Sequence, residues 1–225
     1  VNPPTVGVAT LEGIDSKGNA YNNLSPSAYG KADSLTSKII NLTKYRYTNH
    51  LGGDSLVPIA LTDSVFLSFY YQPKGLGNAP DDTLQKEIDS LVVQFKLSND
   101  TVWRSIRQFF KDTNFTTFKH VIIPVDTSWF KKDFQFRFVN YATLSGNFDH
   151  WHIDYVRLDR STRTNMAYIN DLAFVKKTGS MLNKYQAMPW SHFSTSDRVT
   201  SLSLTTRNLD NPGNSAKSCN YQYGI

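Results

Sequence analysis

The sequence predicts an all-β protein of the sandwich or barrel class, and three observations carry that prediction. The first is composition. Glu12 and Glu87 are the only glutamates among 19 acidic residues, while aromatics reach 13% of the chain. Glutamate serves helix interiors and Asp serves turns and caps, whereas aromatic and β-branched residues suit pleated sheets. The second is period-2 alternation in several short runs. The third is that these runs are bounded by clusters of Gly, Pro, Asn and Asp, the punctuation of turns.

In chain order, residues 1–30 are mostly loop, rich in Asn, Pro, Gly and Ser, around one short apolar strand from Val6 to Leu11. Val65, Leu67, Phe69 and Tyr71 share one face of the next strand, and Leu91, Val93, Phe95 and Leu97 share one face of another, against Gln94 and Lys96. His120 to Val125 is an apolar run in which Pro124 favours an edge or a bulge. In Phe134-Gln135-Phe136-Arg137-Phe138 three phenylalanines alternate with polar residues, and Trp151 to Leu158 supplies a further strand. Helical patterning is thin. Thr83 to Val92 alternates better as a strand from Leu91 onward, and Asn170-Asp171-Leu172-Ala173-Phe174 reads as the start of a short turn. From Arg198, Val199, Ser201, Ser203 and Thr205 alternate with Thr200, Leu202 and Leu204, as a strand would, and another strand is expected near Tyr221. These segments divide the chain into a β-sandwich domain over 1–160, a connector over 161–190 and the truncated start of a second β-module over 191–225.

Several classes are excluded. The chain has 225 residues, 40% of them hydrophobic, so it is not a disordered segment. No run approaches the ~18 to 20 apolar residues of a membrane helix. A single cysteine, Cys219, excludes an internal disulfide framework and a multi-cysteine metal cluster. The net charge of +5 comes from scattered basic residues, with no basic helix, zinc-finger spacing or RNA-binding aromatic motif, so no nucleic-acid partner is expected. The chain begins at Val1 without a charged-then-apolar leader and reads as a mature or excised fragment, which leaves secretion open.

The run Phe134-Gln135-Phe136-Arg137-Phe138, the turn Gly146-Asn147, and Trp151-His152-Ile153-Asp154-Tyr155-Val156-Arg157-Leu158 resemble the closing strands of MAM-like and concanavalin-like jelly-roll modules. Leu67 to Tyr71, Ser90 to Phe95, Val102-Trp103 and Phe118 to Val125 fit the preceding strands in the same order, so the resemblance spans residues 60–160. The cysteines of animal MAM domains are missing. The whole chain, including Tyr185 to Trp190, resembles the N-terminal part of long surface proteins of the Bacteroidota. That resemblance implies a jelly-roll β-sandwich, type IX export and an extracellular or cell-surface location. Asp-Ser/Thr-aliphatic triplets begin at Asp33, Asp54, Asp63, Asp82, Asp89 and Asp100. They resemble the O-glycosylation sequon of exported Bacteroidota proteins, and Asp-Ser/Thr is also good turn chemistry before a strand.

The residues that could carry chemistry are few. Jelly-roll β-glucanases use Glu-x-Asp-x-x-Glu, because two carboxylates must flank the scissile bond. Here Glu87-Ile88-Asp89 begins that motif but Val92 stands where the second Glu is needed. Ser, His and Asp are abundant without a Gly-x-Ser-x-Gly elbow. His150, His152 and Asp154 alternate on one strand, a spacing that can ligate zinc. Asp149 and Asp154, with Asp33 or loop carbonyls, offer hard oxygens for calcium, the one cofactor expected. The expected metal-binding residues are thus Asp149, Asp154 and His152. Among amphipathic aromatics able to stack on sugar rings, Trp103, Trp129 and Tyr70 are the expected ligand-binding residues, ahead of Tyr45, Tyr47 and Trp190. The expected function is a non-catalytic exported module for adhesion or for recognition of a glycan or another envelope protein. The alternatives are a metal-dependent hydrolase using His150, His152 and Asp154, or a structural scaffold segment of the envelope.

Overall fold

A computed structural model describes residues 2–49, 51–81, 88–110, 116–161 and 171–209. The chain divides into two compact units, one formed by Val8–Met166 with Val1–Asn2, the other by Ala167–Ile225 with Pro3–Gly7.

Among the described residues, the first unit is built from ten strands: β1 (Ala9–Leu11), β2 (Tyr29–Thr36), β3 (Lys44–Thr48), β4 (Asp54–Pro58), β5 (Ser64–Pro73), β6 (Ser90–Leu97), β7 (Arg104–Phe109), β8 (Lys119–Val125), β9 (Phe134–Thr143) and β10 (Trp151–Ser161). Two four-stranded antiparallel sheets form, in the orders β1-β10-β5-β8 and β2-β9-β6-β7. Strand partners are nested: β1 with β10, β2 with β9, β5 with β8, β6 with β7. That nesting is the connectivity of a jelly roll, so the expected fold class is observed. The β3–β4 hairpin is an addition outside the two sheets.

Alternation decides which side chains fill the sandwich. Val65, Leu67, Phe69 and Tyr71 of β5, Leu91, Val93 and Phe95 of β6, Phe134 and Phe138 of β9, and Trp151 and Ile153 of β10 form one buried cluster. Phe69 sits at its centre, edge-on to Phe138 at 4.8 Å and to Phe109 at 5.9 Å. Such edge-to-face pairs add about 0.5–1.5 kcal/mol each beyond the area they bury. The intervening residues of β9 and β6 (Gln135, Arg137 and Val139; Val92, Gln94 and Lys96) therefore occupy the outer face of the second sheet.

The Asp-Ser/Thr triplets serve as turn chemistry in at least two places. Asp63 accepts from the Ala60 amide and Asp100 from the Leu97 amide, each just ahead of a strand. Ser90 is fully buried and accepts from the Gln108 amide group, which closes that position to a glycan.

In the second unit, β11 (Leu172–Phe174) pairs antiparallel with β12 (Thr206–Asn208). This corrects two expectations. The segment at Asp171 enters a strand rather than a turn, because its backbone finds a partner far along the chain. None of the alternating stretch from Arg198 to Thr205 forms a strand; strand pairing begins at Thr206, just beyond it. Trp190 stacks on Phe193 at 5.2 Å beside two single-turn 3-10 segments, Trp190–His192 and Thr195–Asp197. No helix among the described residues is long and apolar enough to cross a membrane. Glu87, Cys219 and the strand expected near Tyr221 lie outside the described residues.

Candidate functional site

Two places on the first unit gather polar chemistry. One is the outer face of the β2-β9-β6-β7 sheet. Its cross-strand rows follow from the register. Tyr141 lies opposite Lys31 and Ser90, Val139 opposite Ser34 and Val92, Arg137 opposite Thr36 and Gln94, and Gln135 opposite Lys96. On the far side Gln108 lies opposite Val92, and Ser105 opposite Gln94.

The middle row is a hydrogen-bonded chain. Arg137 Nε donates to Gln94 Oε1 at 2.8 Å, and Gln94 Nε2 donates to Ser105 Oγ at 3.1 Å. Gln94 is thereby satisfied on both ends of its amide and can be 5% exposed without penalty. The Arg137 guanidinium lies over the Trp103 ring at 4.3 Å, and the Lys96 ammonium approaches the same ring at 5.8 Å. Trp103, one of the three expected ligand-binding aromatics, is half-buried beside the start of β7 and acts as the base on which Arg137 rests. Burial depresses the basicity of both Arg137 and Lys31, and the Arg137 charge adds to the effect on Lys31. The sequence places Arg137 on a polar strand face without singling it out, because the glutamine that holds it comes from another strand.

The other expected aromatics are placed differently. Trp129 is 8% exposed and packs edge-on to Phe95 at 5.5 Å, inside the sandwich. It reaches the core because Asp126 accepts from the Ser128 amide and starts the 3-10 turn Thr127–Trp129, which rotates the indole inward. Tyr70 lies on the outer face of the other sheet, stacked on His120 at 4.7 Å and edge-on to Tyr155 at 6.3 Å. Tyr155 occupies the β10 bulge with φ of 52°.

The second place is at one end of the sandwich. The segment after β5 runs along the entry to β10: the Lys74 amide donates to the His150 carbonyl, and the Asn78 amide to the Phe148 carbonyl. That path brings Asp81 to Asp149. Asp89, just ahead of β6, accepts from the Asp81 amide at 2.8 Å. Asp81, Asp89 and Asp149 thus present carboxylate oxygens that all lie within 4.8 Å of one another, and this group could hold a metal ion. Asp89 and Asp149 are almost fully buried. Burial raises both, with repulsion between neighbouring carboxylates adding to it, Asp89 to about 6 and Asp149 to about 7. Burial and mutual repulsion thus favour a proton held within the Asp89–Asp149 pair.

Of the expected metal ligands, Asp149 joins this cluster, while His152 and Asp154 lie on the outer face of the first sheet. His152 Nδ1 is 2.9 Å from Thr10 Oγ1, and its Nε2 is pressed against Gly75, where a Cβ would lie only 1.5 Å away. Burial, with the His150 charge, holds the His152 ring neutral, its pKa brought down to about 4. His150 lies ahead of β10 beneath Gly77, with Nε2 bonded to Asn147 Oδ1 and 3.8 Å from Glu12. Asp154 accepts from the Tyr155 amide at 2.6 Å. Asp81 and Asp89 are absent from the expected ligand set, and only the pairing of the 74–81 segment with residues 148–150 brings them in.

No family model matches this chain, and no curated protein matches it. Among solved structures it is similar to the crystal structure of a non-crystalline cellulose specific carbohydrate-binding module, CBM28. That likeness has 13% identity and a TM-score of 0.27, and covers 71% of this chain and 99% of the other.

Proposed function

We propose that the jelly roll is a non-catalytic recognition module of an exported, cell-surface protein, and that it binds a glycan on the outer face of the β2-β9-β6-β7 sheet. The observation that carries this reading is the Ser105–Gln94–Arg137–Trp103 array. Planar amide and guanidinium groups, locked by one another and set beside an indole, match the hydroxyl pairs and apolar ring faces of sugars. Their fixed geometry lowers the ordering cost of binding. Within this reading residues 1–160 are the recognition domain, 161–190 a connector, and 191–225 the start of a neighbouring module.

The acidic cluster fits a supporting role. Hard carboxylate oxygens suit calcium, which takes six to eight such ligands. Bound there, calcium would supply the positive charge that the two buried acids otherwise replace with a proton. It would tie the 74–81 segment, the approach to β6 and the approach to β10 together. Thermal unfolding at pH 8 tests this part: millimolar calcium should raise the midpoint over that in chelator, and an unchanged midpoint would exclude a stabilising cation. A hydrolytic role for His150, His152 and Asp154 would require His152 Nε2 to leave Gly75.

Pull-down on a panel of soluble and insoluble polysaccharides tests the main reading. At least one glycan should retain the protein, and Trp103→Ala should release it by freeing Arg137. Retention by none would leave the chain a spacer or scaffold segment, and retention unchanged in Trp103→Ala would move the site elsewhere.

A further inference from the structure

We propose that the glycan recognised on this face is an acidic one, its uronate carboxylate seated on Arg137. The inference rests on the glycan-binding reading and names the ligand class for the same site.

Three cations, Lys31, Arg137 and Lys96, stand on the outer face of the second sheet. None of them forms an ion pair among the described residues. The described acids within or next to these strands are engaged elsewhere, Asp89 with the Asp81 amide in the cluster at the end of the sandwich. Asp33 accepts from Tyr21 Oη at 2.6 Å and from the Glu12 amide. Asp100 accepts from the Leu97 amide and approaches Arg104 at 3.8 Å, and Asp133 accepts from the Ser98 amide.

Arg137 is also oriented. Its Nε is spent on Gln94 and its guanidinium carbon lies 4.3 Å from the centre of the Trp103 ring, so the Nη1–Nη2 edge is the part left for a ligand. That edge has the spacing to donate two parallel hydrogen bonds to one carboxylate. A guanidinium already fixed in position loses little freedom on binding. The neutral members of the face, Gln108, Ser105 and Gln135, offer donors and acceptors for ring hydroxyls around that anchor. A cation stripped of part of its water, with no counter-charge, gains most from an anion. Nucleic acid would need a longer track of cations to follow its phosphates, and among the described residues this face has three.

Affinity electrophoresis separates the possibilities. The native chain is run in gels containing polygalacturonate, its fully methyl-esterified form, neutral β-glucan or single-stranded DNA. Polygalacturonate should retard it, and the methyl ester, which keeps the sugar rings but loses the charge, should retard it at least about tenfold less, the loss expected for a charge-assisted bidentate contact. Arg137→Gln and Lys31→Gln should each weaken retardation by polygalacturonate. Arg46→Gln, on the separate β3–β4 hairpin, removes the same charge and should leave it unchanged. Equal retardation by the ester and the acid, or by neutral glucan alone, would overturn the acidic-glycan assignment while leaving glycan binding intact. Stronger retardation by DNA, or equal loss in Arg46→Gln, would also overturn it. Absence of retardation by every saccharide would remove the glycan reading itself.

Discussion

Replacing Asp149 with asparagine should stabilise the protein at alkaline pH in the absence of divalent cations. Asp149 and Asp89 are buried, and burial with mutual repulsion raises both, Asp149 the further. The amide of the substituted side chain would place a donor there through its Nδ2 and would leave Asp89 facing a neutral neighbour. The magnitude follows from the pKa. Asp149 is raised from 3.8 to about 7, and each pK unit is worth ~1.4 kcal/mol, which gives roughly 4 kcal/mol as the cost of ionising it in the folded state. Some of that is repulsion shared with Asp89, so roughly 2–4 kcal/mol is expected for Asp149→Asn at pH 8.

The sign is set by proton binding. Between about 4 and about 7 the folded chain holds more protons on Asp149 than the unfolded chain, so this group's contribution to stability falls as pH rises and is lost fully above about 7. His152 acts the other way. Its folded pKa is brought down from 6.5 to about 4, so the contribution of its neutral ring grows as pH rises through that window. The difference between Asp149→Asn and wild type isolates the carboxylate, because His152 is common to both. Urea unfolding in chelator at pH 4.5, 6, 7 and 8 should show that difference smallest at pH 4.5 and growing to its plateau. A difference independent of pH, or an Asp149→Asn variant less stable than wild type at pH 8, would refute the reasoning.

Other substitutions test the fold and the placement of the aromatics. Phe69→Ala opens a cavity between Phe138 and Phe109 and should cost about 3–5 kcal/mol in urea unfolding. Gly75→Ala combines a φ of 51° with a Cβ driven into the His152 ring, so it should cost at least ~1–3 kcal/mol, and the His152 ring resonances should shift in NMR spectra. Trp129→Ala should cost about 3–5 kcal/mol in stability and, where the variant remains folded, bind glycan as wild type does, because its indole packs on Phe95 and Phe134.

The elements legible in the sequence are those with one face in the core. β5, β6, β8, β9 and β10 each place apolar residues at alternate positions in the buried cluster, and burial is what writes period 2 into a sequence. β2, in Tyr29–Thr36, is not legible. It is broken by a bulge between Lys31 and Ser34, and Ala32 is its one buried apolar residue. The β3–β4 hairpin escapes notice for a related reason, since nearly all of its residues are exposed and its pattern records no core. The candidate site is legible only in pieces. Trp103 is visible as an amphipathic aromatic and Asp149 as an oxygen ligand. Arg137 acquires its role from Gln94 across a strand pair, and Asp81 from the path of the 74–81 segment, neither of which leaves a local pattern.

The most direct test of glycan recognition by this sheet face is backbone amide chemical-shift mapping on titration with oligogalacturonate. Binding there predicts shifts concentrated in β7, at Trp103, and at the outward positions of β6 and β9, around Gln94 and Arg137. Shifts centred instead on Tyr70, His120 and Tyr155 of the opposite sheet, with β7 unmoved, would contradict it.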